Sequence, residues 1–84
     1  MSSGLQTRRI KYFLKLQYPV QVLADSNGYY GCVPDLPTCE LYDRDLTAIY
    51  LTLERMRREW IIAQVLSGQE VPLPNSSQIS LGVL

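Results

Sequence analysis

The sequence predicts an α+β domain: a three-stranded antiparallel β-meander, one long helix and a fourth strand, in the order β-β-β-α-β. Three observations predict it. Apolar residues alternate with polar ones from Tyr12 to Val22, the period of a strand half-buried against a core. Asp25-Ser26-Asn27-Gly28 is a turn sequence, and Asn-Gly signals a hairpin because both residues tolerate positive φ. After Asp45 the apolar positions change to helical spacing.

In chain order, the polar stretch 1–10 reads as a flexible lead-in and residues 11–84 as a single domain. In the first strand, Tyr12, Leu14, Leu16, Tyr18, Val20 and Val22 take one side. Lys11, Lys15, Gln17 and Gln21 take the other, and Phe13 and Pro19 break the pattern. Pro19 cannot donate to a ladder, so the strand is expected to bend or lie at an edge there. Residues 29–33 form the returning strand. Pro34-Asp35-Leu36-Pro37 interrupts it, since two prolines three apart do not fit inside a sheet. Residues 38–42 make a short third strand.

Asp45 suits a helix N-cap, where its carboxylate accepts the unpaired N–H groups of the first turn. Leu46, Ile49, Tyr50, Leu53, Met56, Trp60 and Ala63 then form one stripe, and the helix is expected over about 46–66. Glu54 with Arg58, and Arg55 with Glu59, are i,i+4 pairs for its solvated side. Gly68 stands where a C-terminal cap belongs. Pro72 and Pro74 keep the chain extended, and Ile79, Leu81 and Val83 alternate as the fourth strand. One helix covers one face of such a sheet. The other face, or an edge, is left for a partner.

Composition limits the functions on offer. A chain of 84 residues makes one domain with a thin core, which a second subunit can supplement. With 46% apolar and 19% charged residues the chain is globular rather than disordered. Eight Lys and Arg balance eight Asp and Glu, so net charge exerts no global pull toward nucleic acid or anionic lipid. Cys32 and Cys39 make no disulfide framework, and without histidine they make no ordinary zinc site. They read as small, half-buried core residues in a reducing cytoplasm. No secretory signal and no membrane-length apolar run is visible, so the cytoplasm is the expected location.

Several residues together carry a resemblance. They are Tyr18-Pro19-Val20, Tyr29-Tyr30-Gly31, Val33-Pro34-Asp35-Leu36-Pro37, the thiol of Cys39, Trp60 near the end of the helix, and the Gly-Gln-Glu-x-Pro-x-Pro stretch from Gly68 to Pro74. Over roughly residues 16–83 the chain resembles the HicB-like antitoxin family. The resemblance implies a partly eroded ribonuclease-H-like core in which Tyr18, Pro19, Tyr30, Pro34, Asp35, Leu36, Pro37 and Trp60 are structural. It implies a partner too, a small HicA-type toxin that degrades RNA and that the antitoxin blocks. It implies no cofactor. Two departures stand out. The family usually has Gly after P-D-L-P, where this chain has Thr38. It usually has Gly-x-Thr before the helix, where this chain has Asp43-Arg44-Asp45. Many members carry a C-terminal DNA-binding domain. The sequence in hand ends at Leu84, so DNA binding by this chain alone is not expected.

Catalysis finds little support in the residues. A ribonuclease-H-type site needs several carboxylates converging on divalent metal. Asp25, Asp35, Glu40, Asp43 and Asp45 are the supply, and turns or caps account for Asp25, Asp35 and Asp45. No histidine can activate either thiol. The expectation is a non-enzymatic interaction domain. Glu40 and Asp43, close together in sequence, are its candidate contacts to a basic toxin. The alternatives are an orphan homo-oligomer, dimer or tetramer, with another protein partner, and a residual metal-dependent nuclease.

Overall fold

The computed structural model describes residues 3–74. They form helix α1 (Ser3–Lys15), strands β1 (Gln21–Ala24), β2 (Tyr29–Cys32) and β3 (Glu40–Asp43), and helix α2 (Leu46–Leu66). The fold is α+β, with a three-stranded antiparallel sheet in the order β1-β2-β3 and two helices. The proposed fourth strand at 79–83 lies outside the described residues.

The beginning of the chain corrects the sequence reading. Residues 3–10 join a helix rather than a lead-in, and that helix runs through the first half of the expected strand. Alternation at Tyr12, Leu14 and Leu16 was the weaker of two superposed patterns. Ile10, Phe13 and Leu14 stand at i, i+3 and i+4, and Phe13, the exception to alternation, is the buried residue of the three. Arg, Gln, Lys and Leu around them are good helix formers. The helix stops short of Pro19, and Leu16 N–H closes its last turn on Phe13 C=O at 3.2 Å. A 13-residue helix is marginal alone. Its docking on α2 supplies the missing stability.

The hairpin forms where the turn sequence put it, but by another device. Among the described residues, positive φ occurs only at Thr38 and Gly68. The turn is instead held by Asp25, whose Oδ1 accepts from Asn27 N–H at 2.7 Å and Gly28 N–H at 2.9 Å. Gly28 is needed for space: a Cβ there would lie 2.8 Å from the carbonyl oxygen of Asp43.

Helix α2 has the expected bounds. Asp45 caps it, its Oδ1 accepting from Thr47 N–H at 3.0 Å. At the other end Gly68 takes φ +76°, Gly68 N–H donates to Val65 C=O and Gln69 N–H to Gln64 C=O. These are the two bonds of a Schellman cap. α2 lies across β2 and β3. It comes so near the centre of the sheet that a Cβ on Gly31 would lie 2.5 Å from Ile49 Cγ2. Ile49, Leu53, Ile61 and Val65 of α2 form the core with Val33, Leu36, Cys39, Phe13, Tyr18 and Val71.

Candidate protein-binding face

Strand register decides what each side of the sheet displays. Val22, Gly31 and Leu41 pair across the three strands, as do Leu23, Tyr30 and Tyr42. Since side chains alternate, the first row lies beneath α2 and the second points away from it. Gln21, Cys32 and Glu40 form a further row on that open side. Leu23 is 66% exposed and Tyr42 48%. No described element covers this face.

The tyrosines there are held in place. Tyr30 Oη donates to Glu40 Oε1, and Tyr42 Oη donates to Asp25 Oδ1 at 2.7 Å. The bond to Glu40 pushes the Tyr30 phenol up to about 12. The bond to Asp25 raises Tyr42 and, with the Asn27 amide, holds Asp25 below the ordinary carboxylate range. The result is an aromatic and aliphatic row with carboxylates along it and no Lys or Arg in either row. Aromatic anchors with fixed rotamers suit a protein interface, because little side-chain freedom is lost on binding. The depression beside them, near Pro34, Pro37 and Thr38, measures about 210 Å³. That is below the ~300–1,000 Å³ of usual small-molecule pockets.

Glu40 and Asp43 are not brought together. Three residues apart on one strand, they fall on opposite faces. Glu40 belongs to the open face with Tyr30. Asp43 is half-buried, and its Oδ1 accepts from Asp45 N–H at 2.8 Å, shaping the entry to α2.

The remaining motif residues have structural surroundings. Leu36, 2% exposed, plugs the core, while Pro34 and Pro37 face solvent and Asp35 is half-buried. Leu36 N–H donates to Val33 C=O and Cys39 N–H to Leu36 C=O, so P-D-L-P is a double turn. The next residue, Thr38, has φ +69°, a conformation costly for a β-branched side chain. Tyr18, with half-buried Pro19 beside it, is buried, and its Oη donates to Pro72 C=O at 2.7 Å. Burial raises its pKa, against an opposing pull from Arg57. Trp60 is half-buried and packs on the core beside Met56.

Sequence reasoning missed two features. The first is Arg57, which no charged i,i+4 pair of α2 includes. Its side chain is only 12% exposed, it pairs with Glu54 at 2.5 Å, and its Nη1 donates to Leu14 C=O at 3.4 Å near the end of α1. The other is α1 itself, which gathers Arg8, Arg9, Lys11 and Lys15 on one helix without a carboxylate. Among the described residues no three of Cys, Asp and Glu gather closely enough to hold a metal ion, and no helix is long and apolar enough to cross a membrane. Comparisons with family models, curated proteins and solved structures return no match.

Proposed function

We propose that this chain is a non-catalytic protein-binding domain of the HicB-like antitoxin type, and that it neutralises a small HicA-like ribonuclease by covering its RNA-binding surface. The observation that carries the reading is the open sheet face. Leu23, Tyr30 and Tyr42 give it an apolar and aromatic centre, and Glu40 and Asp25 give it acidic character. A basic RNA-binding surface is the electrostatic complement of such a face. Occluding a ribonuclease needs complementarity and no chemistry, so the proposal calls for no cofactor and no metal.

Two geometric details support the family resemblance. Thr38 occupies a left-handed position where that family usually has glycine, the residue such a φ favours. Tyr18 and Pro72, from motifs at the two ends of the resemblance, are hydrogen-bonded to each other. The proposal keeps a fourth strand at residues 79–83, as the sequence alternates there, within a partly ribonuclease-H-like fold. The sheet edges also support a homo-oligomer, since open edges invite pairing.

The test is co-expression with a HicA-like ribonuclease encoded beside this gene. The chain should restore growth and co-purify with the toxin, and Leu23→Arg with Tyr42→Arg should abolish both while the variant stays folded. A soluble wild-type chain that fails to neutralise any such ribonuclease would sink the toxin reading. RNA cleavage by the pure protein with manganese, lost in Asp35→Ala, would replace it with the nuclease reading.

A further inference from the structure

Net charge is zero over the whole sequence, but the fold separates that charge. Helix α1 holds four of the eight cations and none of the eight carboxylates. Every acidic residue lies beyond it, from Asp25 onward. Within α1, Phe13 is buried, and Ile10 and Leu14 are half-buried against the core. Arg9 is half-buried with its guanidinium 5.9 Å from the centre of the Phe13 ring. Arg8, Lys11 and Lys15 are exposed, and Leu5 and Tyr12 stand exposed among them. Leu5, Arg8, Tyr12 and Lys15 follow at i, i+3, i+7 and i+10, so they form one outward stripe with Lys11 beside it.

Local rules do not explain this arrangement. Arg8 and Lys11 are like charges at i,i+3, and Lys11 and Lys15 at i,i+4. Both pairs weaken a helix that is already short. A sequence that departs from its own local preferences marks a functional surface more often than a neutral one.

We propose that the exposed face of α1 binds the phosphate backbone of double-stranded DNA. The proposal goes beyond the toxin-binding reading and uses a different surface. Three observations choose this occupant. The helix itself carries only positive charge, as a polyanion favours, with Glu54 near Lys15 and Glu70 near Arg9 as the flanking carboxylates. The apolar side of α1 is already spent on α2 and the core, which leaves too little apolar surface to lie in a membrane interface. The site is a convex helical ridge, whereas single strands are bound in grooves with several stacking aromatics. The major groove of B-DNA admits an α-helix.

The experiment is fluorescence anisotropy of a labelled mixed-sequence duplex titrated with the full chain. Binding should appear at 50 mM salt. With three cations on phosphates, log K should fall with log salt at a slope of about −2.7. A fourfold rise in salt should therefore weaken binding roughly 40-fold. Arg8→Gln, Lys11→Gln and Lys15→Gln together should abolish binding. They should not lower the melting temperature, because they remove repulsion. Arg55→Gln with Arg58→Gln, two exposed cations on α2, should leave binding in place. Three results would overturn the proposal: no duplex binding at 50 mM salt, binding retained in the triple variant, or tighter binding to a single strand or to phosphatidylserine vesicles.

Discussion

Thr38→Gly should make the protein more stable, although it deletes a side chain. Thr38 is held at φ +69° by the turn that follows P-D-L-P, with Glu40 N–H donating to its carbonyl at 3.0 Å. A residue with a Cβ loses roughly 1–2 kcal/mol in the left-handed region. The Thr38 side chain is exposed, so its removal opens no cavity. Glycine costs about 0.4–1 kcal/mol through the greater freedom of the unfolded chain. The net gain is therefore about 0.5–1 kcal/mol, or roughly 2–8 °C in Tm for a domain of this size. Urea titration and thermal melting of four proteins would check it. The expected order of stability is Gly, then Asn, which tolerates this region, then Thr and Ala together. Alanine is the informative control, since it removes the β-branch and keeps the Cβ. If Thr38→Gly melts below the wild type, or Thr38→Ala matches Thr38→Gly, backbone strain is not what Thr38 contributes.

Gly31→Ala should cost about 1–3 kcal/mol, because its Cβ would meet Ile49 at 2.5 Å and Leu53 at 3.1 Å beneath α2; an unchanged urea midpoint would mean that the helix can lift without penalty. Arg57→Met keeps the apolar stem but leaves Glu54 and Leu14 C=O without their donor. We expect a loss of about 1–2 kcal/mol after allowing for the exposure of Glu54. Amide exchange should speed up in α1 before the sheet, and uniform acceleration would refute a local role. Asp25 is held below the usual carboxylate range, mainly by the Tyr42 phenol, so its contribution is present above about pH 4 and lost as pH falls through its folded value. Tyr30, raised to about 12 by Glu40, acts with the opposite sign: stability is full below about pH 10 and is lost as pH climbs through the folded value. Tyr42→Phe should flatten the acid limb of Tm against pH, and an unchanged limb would remove Asp25 from the account.

Local chemistry was legible wherever one residue does one job. Asp45 and Gly68 announced the ends of α2, and the caps formed there. The turn at 25–28 was legible as a place but not as a mechanism, because Asp25 competes with Asn27-Gly28 for the same backbone groups. The start of the chain was misread for a physical reason. Periods of 2 and 3.6 both satisfy i,i+4, so Tyr12 and Leu16 fit either one. Phe13 and Ile10 could decide for a helix only once α2 was available as a docking surface. The role of Arg57 depends on that same docking, and no pattern within α2 announces it. The open face was legible only as an inference that one helix leaves one side bare. Which residues it carries depends on register, and register follows from turn geometry and core packing rather than from composition. Leu23, Tyr30 and Tyr42 stand on it, while Phe13, the exception to the alternation, is in the core.

Register also separates two charges that looked equivalent, and that separation predicts different outcomes for their reversal. Glu40 lies on the open face beside Tyr30, whereas Asp43 lies on the other side of β3 and accepts the Asp45 N–H just before α2. Glu40→Lys should weaken binding to a basic partner, chiefly through a slower association that recovers as salt screens it. Its melting temperature should fall only slightly, because the lost hydrogen bond from Tyr30 is solvent-exposed and exposed polar pairs contribute little to stability. Asp43→Lys should behave in the opposite way. It removes an acceptor at the entry to α2 and places a cation near the positive end of that helix, at a cost of about 0.5–2 kcal/mol. Partner affinity, measured where both proteins are folded, should stay close to the wild type. Stopped-flow association at two salt concentrations, beside urea titrations of both variants, separates the two effects. Equal losses of affinity from the two reversals would mean that the partner grips the edge of β3 rather than the open face.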